Sequence, residues 1–312
     1  METYTPTGAS FNSSIHEFET TDRAHADVLN VPVEELAEND AYLNLRIGDL
    51  DDLTTEEKTD LVKAINEMAN VFADGAGAHN CVYRGKKLGT SVSAEQYAAI
   101  SNGKFTDMFI GDYWEINSVV WRIAAFDYWL HCGDTECTEH HVLIVPDSNI
   151  VSNVKMNSTN ITTGAYVGSD FYTGNNSNTA FATAKNAINT AFGSSHILNH
   201  REYLPNATSN GRHSAGSWYD STVELMTEQM VYGKQFGTVS DGTNVPANYT
   251  IDNAQLPLFA LDHSKICNRA DWWLRGVVSS ADFAYVAGGG NCRCASASTT
   301  FGVRPAFAIC AA

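Results

Sequence analysis

The chain has 312 residues, 44% of them hydrophobic and 18% charged, a balance that suits a folded protein with a sizeable core and excludes a disordered one. Its formal net charge of −17, from 36 acidic and 19 basic residues, repels phosphate and argues against nucleic acid or an anionic membrane as partner. The most apolar run, residues 119–130, is short and carries Arg122 and Asp127, so no membrane span is expected. Residues 1–30 lack a basic start followed by an apolar run, so no secretory signal is expected and synthesis in the cytoplasm is. The seven cysteines are odd in number and irregularly placed, which argues against a full disulfide framework.

Residues 1–14 are polar and turn-rich and read as an extended arm or a disordered tail. Over residues 15–52, Leu36, Leu43 and Leu50 fall seven apart with Ile47 between them, the spacing of a short coiled-coil seam. Thr54 and Glu57 have the spacing of a capping box, which predicts a helix whose Leu61, Val62, Ile65, Met68, Ala69 and Phe72 form one apolar stripe. Asp-Gly-Ala-Gly at 74–77 ends it. Residues 1–76 are therefore expected to be a thin, acidic helical stalk that buries its stripe on copies of itself or on the domain that follows, or else a helical hairpin packed on the same chain.

From residue 77 to residue 312 the pattern changes. Ser93 and Gln96 open a short helix reaching about Asn102, and strand-like runs follow at 112–117, 119–129 and 141–146, with Asn117-Ser118 as a tight hairpin turn. Residues 150–180 are rich in Asn, Ser, Thr and Gly and read as loops; 180–192 is helical; 197–204 is ambiguous; 223–232 reads as a helix and 237–253 as loop. Short strands and helices separated by long polar segments predict an α+β domain with a small twisted sheet and long loop insertions.

The chemistry-bearing clusters are few. His131, Cys132, Cys137, His140 and His141 lie together between expected strands, where a hairpin loop would gather them around zinc, although Cys-x4-Cys-x2-His-His matches no common zinc signature. A Cys132–Cys137 disulfide or plain loop residues fit the same spacing. There is no Gly-x-Ser-x-Gly elbow, no Cys–His pair with a supporting frame, and no Gly-Lys-Ser/Thr after Gly288-Gly289-Gly290. Arg275 and Arg304 sit among apolar neighbours, so each is expected to meet a carboxylate or several carbonyls.

The end of the chain, residues 272–309, is unlike the rest. It opens on Trp272-Trp273-Leu274-Arg275 and closes on Phe301, Val303, Pro305, Phe307 and Ile309, which share one parity and predict a strand with one buried face. Between these ends the chain is small, polar and glycine-rich, with neither helical nor strand period. From Gly276 to Phe301 there is no Trp, Met, Lys, Glu or Gln, the residues that a codon ending in C cannot encode. An Asn codon of that kind with its adenines randomised yields the residues found there.

With its Trp-Trp-Leu-Arg start and Gly-Val-Arg-Pro-Ala-Phe end, this stretch resembles the variable proteins of diversity-generating retroelements, the gut-phage version above all. Gly111-Asp112-Tyr113-Trp114, Trp121-Arg122-Ile123-Ala124 and Leu225-Met226-Thr227-Glu228 look like the same proteins, extending the resemblance over residues 80–312, and residues 47–50 with 61–66 resemble stalk segments of phage tail fibres. The resemblance implies a C-type-lectin-like fold of the formylglycine-generating-enzyme subclass, held on a homotrimeric stem that attaches to phage tail proteins. It implies a receptor-binding adhesin at the tail tip of a virion, with a host cell-surface protein or glycan as partner and with no cofactor, metal or catalysis. Residues 270–300 would carry the diversified, ligand-binding positions: Ala270, Asp271, Gly276, Ser280, Asp282, Tyr285, Ala287, Gly288, Asn291, Cys292, Arg293, Cys294 and Ser296. Asp282, Tyr285, Asn291, Arg293 and Ser296 are expected on a solvent-facing patch, and Trp273, Leu274, Val277, Phe283, Val303, Pro305 and Phe307 as constant framework. Cys292 and Cys294 fall inside the diversified stretch, so the paired-cysteine oxidase chemistry of the formylglycine-generating enzymes is not expected. Glu-Pro-Asn, Gln-Pro-Asp and Trp-Asn-Asp are absent, which leaves calcium-mediated sugar binding without support. Two alternatives remain open: a cell-wall or glycan-active phage enzyme, and a bacterial binding protein of the same fold.

Overall fold

The computed structural model describes all residues except 1–3, 16, 18, 20, 22–24, 54, 57, 74, 210, 211, 235 and 237–253, and describes only the backbone of 26, 27, 69–73, 205–209 and 212–215. The chain forms two units, Met1–Phe72 and Ala73–Ala312.

In the first unit, a short α1 (Ala26–Leu29) precedes α2 (Val31–Ile47), which has Pro32 in its first turn, where a missing N–H costs no helical hydrogen bond. Gly48, at φ 84°, ends α2, and Leu50 falls in a separate 3-10 turn, Leu50–Asp52. The expected seam of Leu36, Leu43 and Leu50 therefore does not run along one helix. Leu36 and Leu43 lie on α2 and are 51% and 45% exposed. Next, α3 (Leu61–Ala73) starts where Asp60 accepts the Lys63 N–H at 2.8 Å; the Thr54/Glu57 capping box lies outside the described residues. Ala64 is buried, while Leu61, Val62, Ile65 and Met68 are exposed, Val62 by 69%.

The arm is anchored on α2. The Glu38 carboxylate accepts from the Tyr4 hydroxyl (2.5 Å) and from the Thr7 and Gly8 amides (2.9 and 2.8 Å), and Asn39 pairs with the backbone of Asn12 in both directions. These bonds, the Tyr4 hydroxyl first, lower the Glu38 pKa to about 2, and the same contact raises Tyr4 to about 12. Gly8 has φ 63°, and a Cβ there would lie 2.9 Å from the Ala41 carbonyl carbon, so glycine is required.

The second unit begins with α4 (Ala76–His79), β1 (Lys87–Gly89) and α5 (Ala94–Ser101), whose Ser93/Gln96 capping box is complete. Strands β2 (Tyr113–Ile116), β3 (Val119–Phe126) and β4 (Val142–Pro146) follow, and Asn117 and Ser118 turn between the first two at φ 52° and 62°. The region expected to be all loop holds β5 (Val151–Val154) and α6 (Asp170–Thr173), and α7 (Ala180–Phe192) has the expected bounds. β6 (His200–Ser209) and β7 (Arg212–Ser221) form a long hairpin. The helix expected over 223–232 is instead β8 (Val223–Leu225) and α8 (Glu228–Tyr232), because Val223 and Leu225 pair with a neighbouring strand and Thr227 caps the helix through the Met230 N–H. The chain closes with α9 (Pro257–Leu261), β9 (Trp272–Val277), β10 (Asp282–Val286), β11 (Cys292–Ser296), β12 (Phe301–Val303) and β13 (Pro305–Ile309).

The strands form a six-stranded sheet, β1-β2-β3-β4-β13-β8, a five-stranded sheet, β11-β10-β9-β12-β5, and the separate β6-β7 pair. The unit is α+β. The single strand expected over 301–309 is split between the two larger sheets at Arg304. That residue is fully buried: Nε donates to the Pro146 carbonyl (2.7 Å), Nη1 to the Lys265 carbonyl (2.8 Å), and the guanidinium lies over the rings of Trp272 and Phe259. Burial lowers its pKa to about 10. Trp121, Phe192 and Phe307 pack edge to face or tilted at 5.2–5.5 Å against the six-stranded sheet. Asp112, in the Gly-Asp-Tyr-Trp run, is also internal, accepting from Arg84 and from the Lys86 and Phe109 amides.

Candidate ligand-binding site

The final third of the chain builds an exposed edge on a rigid base. Within the base, Trp272, Trp273, Leu274, Val277, Phe283, Val303 and Phe307, all but Trp272 expected as framework, have no exposed surface, and the Trp273 indole donates to the Val154 carbonyl at 2.8 Å. Arg275 meets the carboxylate expected for it: Nη2 donates to Glu202 at 2.6 Å, tying β9 to β6. The other Glu202 oxygen accepts from His200 Nε2 (2.7 Å), and the His200 ring stacks on Trp129 at 3.9 Å. Burial pushes the Glu202 carboxyl up, but Arg275 and His200 outweigh it and hold the pKa at about 2.

On this base, β10 and β11 form an antiparallel hairpin with Asp282 opposite Ser296, Tyr285 opposite Arg293 and Val286 opposite Cys292. Among the described residues β11 is the sheet's edge, with a strand partner on one side of its backbone only. The hairpin turn is pinned from several sides: the Gly288 amide donates to Asp271 (2.7 Å), the Cys267 thiol to the Gly288 carbonyl (2.9 Å), and the Tyr232 hydroxyl to the Gly290 carbonyl (2.8 Å). Gly290 adopts φ 88° there. At the other end Asp282 accepts from the Ser279 and Ser296 hydroxyls at 2.7 and 3.2 Å.

The segment after β5 grips the same stretch at both ends. The Thr162 amide and hydroxyl donate to the carbonyls of Ser280 (3.0 Å) and Ser279 (2.7 Å), and the Met156 and Asn157 amides both donate to the Ala297 carbonyl (2.9 and 3.0 Å). Asn160 accepts from the Ser298 amide at 3.2 Å. Sequence reasoning missed this support. Its only signal was the Asn and Thr content of 155–162, residue types that hydrogen-bond backbone locally and so read as loop.

Of the candidate positions, Ala270, Ser280, Asn291, Arg293 and Cys294 are exposed, and Asp271, Asp282, Ala287, Gly288, Cys292 and Ser296 are half-buried. Gly276 and Tyr285 are buried. Tyr285, expected on the solvent-facing patch, is 9% exposed and stacks on Phe301 at 4.1 Å, because its parity on β10 turns it toward the aromatic base. The Cys292 thiol contacts the buried Glu228 carboxylate at 3.1 Å, and burial, reinforced by that carboxylate, raises its pKa.

The cluster between β3 and β4 disperses to separate partners. His131 pairs with Glu136 (2.6 Å) and His140 with Asp127 (2.7 Å), while His141 points inward, donating Nδ1–H to the Glu139 carbonyl (2.8 Å) and accepting the Trp129 N–H at Nε2 (3.0 Å). Burial lowers the His141 pKa to about 4. No disulfide joins Cys132 to Cys137, and among the described residues no three His, Cys, Asp or Glu side chains gather as a metal site.

No protein-family model matches the chain, and neither does any curated protein or solved structure.

Proposed function

We propose that this protein is a receptor-binding adhesin of a phage tail tip, in which residues 270–300 form a retroelement-diversified surface on a C-type-lectin-like scaffold. The carrying observation is the β10–β11 hairpin. Its Arg293 and Cys294 are exposed on an edge strand and Asn291 in the turn before it, while the backbone that carries them is fixed by neighbours that do not depend on their identity. An edge of this kind recognises a partner through side-chain hydrogen bonds and free backbone groups, without chemistry. The exposed apolar residues of α2 and α3, Leu36, Leu43, Val62, Ile65 and Met68, favour a self-associating stem. A homotrimer would multiply a weak single-site affinity through effective concentration.

Two measurements test the reading. Purified protein is assayed for attachment to candidate host cells, alongside variants exchanged at Asn291, Arg293, Cys294 and Ser296 for other residues that an Asn codon with randomised adenines encodes. The exchanges are expected to leave the melting temperature within a few degrees and to change which strains are bound. Attachment that is indifferent to all four exchanges would place recognition elsewhere. Light scattering on the full chain is expected to give the mass of a trimer, and a monomer would remove the avidity argument.

A further inference from the structure

We propose that the cleft between β5 and the start of α7 binds a neutral saccharide through residues outside the candidate diversified stretch. The cleft is a cavity of about 440 Å³, within the span of about 300–1,000 Å³ over which small-molecule sites fall. Its lining includes Asn153, Asn176 and Asn178, which carry side-chain amides, and Ser152, Ser158 and Thr179, which carry hydroxyls. Amides and hydroxyls both donate and accept, which matches a ligand whose every hydroxyl does the same. Val151, Val154 and Ala180 add a small apolar share to the lining, suited to the C–H face of a sugar ring.

Other ligand classes fit less well. Among the described residues Lys155 is the single cation of the lining and Asp170 the single carboxylate, so their formal charges cancel. A phosphate or nucleotide calls for more positive charge. A divalent cation calls for several oxygen ligands including carboxylates, and Asp170 Oδ2 already accepts the Ser158 N–H at 2.7 Å. The apolar share of the lining is too limited for a lipid or an aromatic compound.

The lining is also held in place before any ligand arrives. Asn178 donates to the Lys155 carbonyl (2.8 Å) and accepts the Ala180 N–H (3.2 Å), and Asn176 donates to the Ser158 hydroxyl (3.3 Å). Asn153, Asn176 and Ser177 take φ of 57°, 50° and 60°, left-handed conformations that persist where the surroundings fix them. Ser158 belongs to the segment that grips the 279–298 stretch, so the cleft adjoins the β10–β11 hairpin through a shared support. The assignment stands whether or not residues 270–300 vary.

The test uses the full chain and a panel of neutral gluco-, manno- and galacto-oligosaccharides of two to four sugars, with sialylated and uronic-acid oligosaccharides as charged counterparts, read by saturation-transfer NMR and calorimetry. At least one neutral oligosaccharide is expected to bind with millimolar affinity or better. Thr183→Trp, which fills the cleft from an exposed position on α7, and Asn176→Ala are each expected to weaken that binding by about tenfold or more. Arg293→Ala on β11 is expected to leave it unchanged. Circular dichroism checks the fold, and if Thr183→Trp melts early, Asn176→Ala and Lys155→Ala decide the matter. Absence of binding across the neutral panel, binding confined to the acidic sugars, indifference to the cleft variants, or loss on Arg293→Ala would each overturn the assignment. Failure here leaves the adhesin reading untouched, since that rests on exchanges at 291–296.

Discussion

Replacing Arg275 by Met removes the cation that holds Glu202 ionised inside the protein. Both side chains are 5% exposed, and His200 also bonds Glu202. The carboxyl pKa falls from 4.5 in the free chain to about 2 in the fold, and at about 1.4 kcal/mol per unit this corresponds to about 3 kcal/mol at neutral pH. Breaking a buried pair from one side costs a similar amount, about 3–5 kcal/mol, since a charge is left uncompensated. Arg275→Met is therefore expected to lower the unfolding free energy by about 3–5 kcal/mol at pH 7. The deficit should shrink as the pH drops toward 4, because a Glu202 without its guanidinium takes up a proton readily. Glu202→Gln combined with Arg275→Met should recover much of the loss. Urea titrations of the three proteins at pH 7 and pH 4.5 measure this. A loss below about 1 kcal/mol, or a double variant no better than the single, would refute the claim that this pair locks β6 to β9.

Three further expectations concern different parts of the fold. His141 has a folded pKa of about 4 against 6.5 in the free chain, so its stabilising contribution is complete above pH 6.5 and is lost as the pH falls from 6.5 to 4, by about 3 kcal/mol; His141→Gln should flatten the stability profile over that window, and an unchanged profile would show that His141 does not set it. Ser118→Gly relieves a side chain held at φ 62° and should stabilise by about 1 kcal/mol in thermal melts, whereas a lower melting temperature would argue against the strained hairpin turn. Tyr285→Ala opens a cavity beside Phe301 and Trp273 and should cost about 3 kcal/mol, while Cys294→Ser on the exposed edge should stay within about 0.5 kcal/mol; equal costs would contradict the division between base and edge.

Local signals read well where one residue type decides the geometry. The Ser93/Gln96 box and the Asn117-Ser118 turn each settle their own backbone. Sheet membership was less legible. β13 is buried on both faces, so the alternation that predicted a one-faced strand over 301–309 does not describe it, and nothing local marks Arg304 as the point where the chain changes sheets. Val223 and Leu225 suit a helix as well as a strand, and pairing with Pro305 and Phe307 decides for the strand. At the candidate site, β10 and β11 were hidden by small residues without period, and burial of Tyr285 follows from a register that only the folded hairpin defines.

The grip of residues 156–162 on the 279–298 stretch has a consequence for its evolution. The bonds to Ser279, Ser280 and Ala297 end on main-chain carbonyls, so they are indifferent to which side chains occupy the hairpin between them. They are not indifferent to spacing. Inserting or deleting one residue between those anchors would break the β10–β11 register and move Phe283 and Tyr285 off the face that packs on Trp273 and Phe301. At its exposed positions the hairpin thus tolerates changes of spelling but not of length, and an evolutionary process that only substitutes residues there is the kind this architecture can absorb.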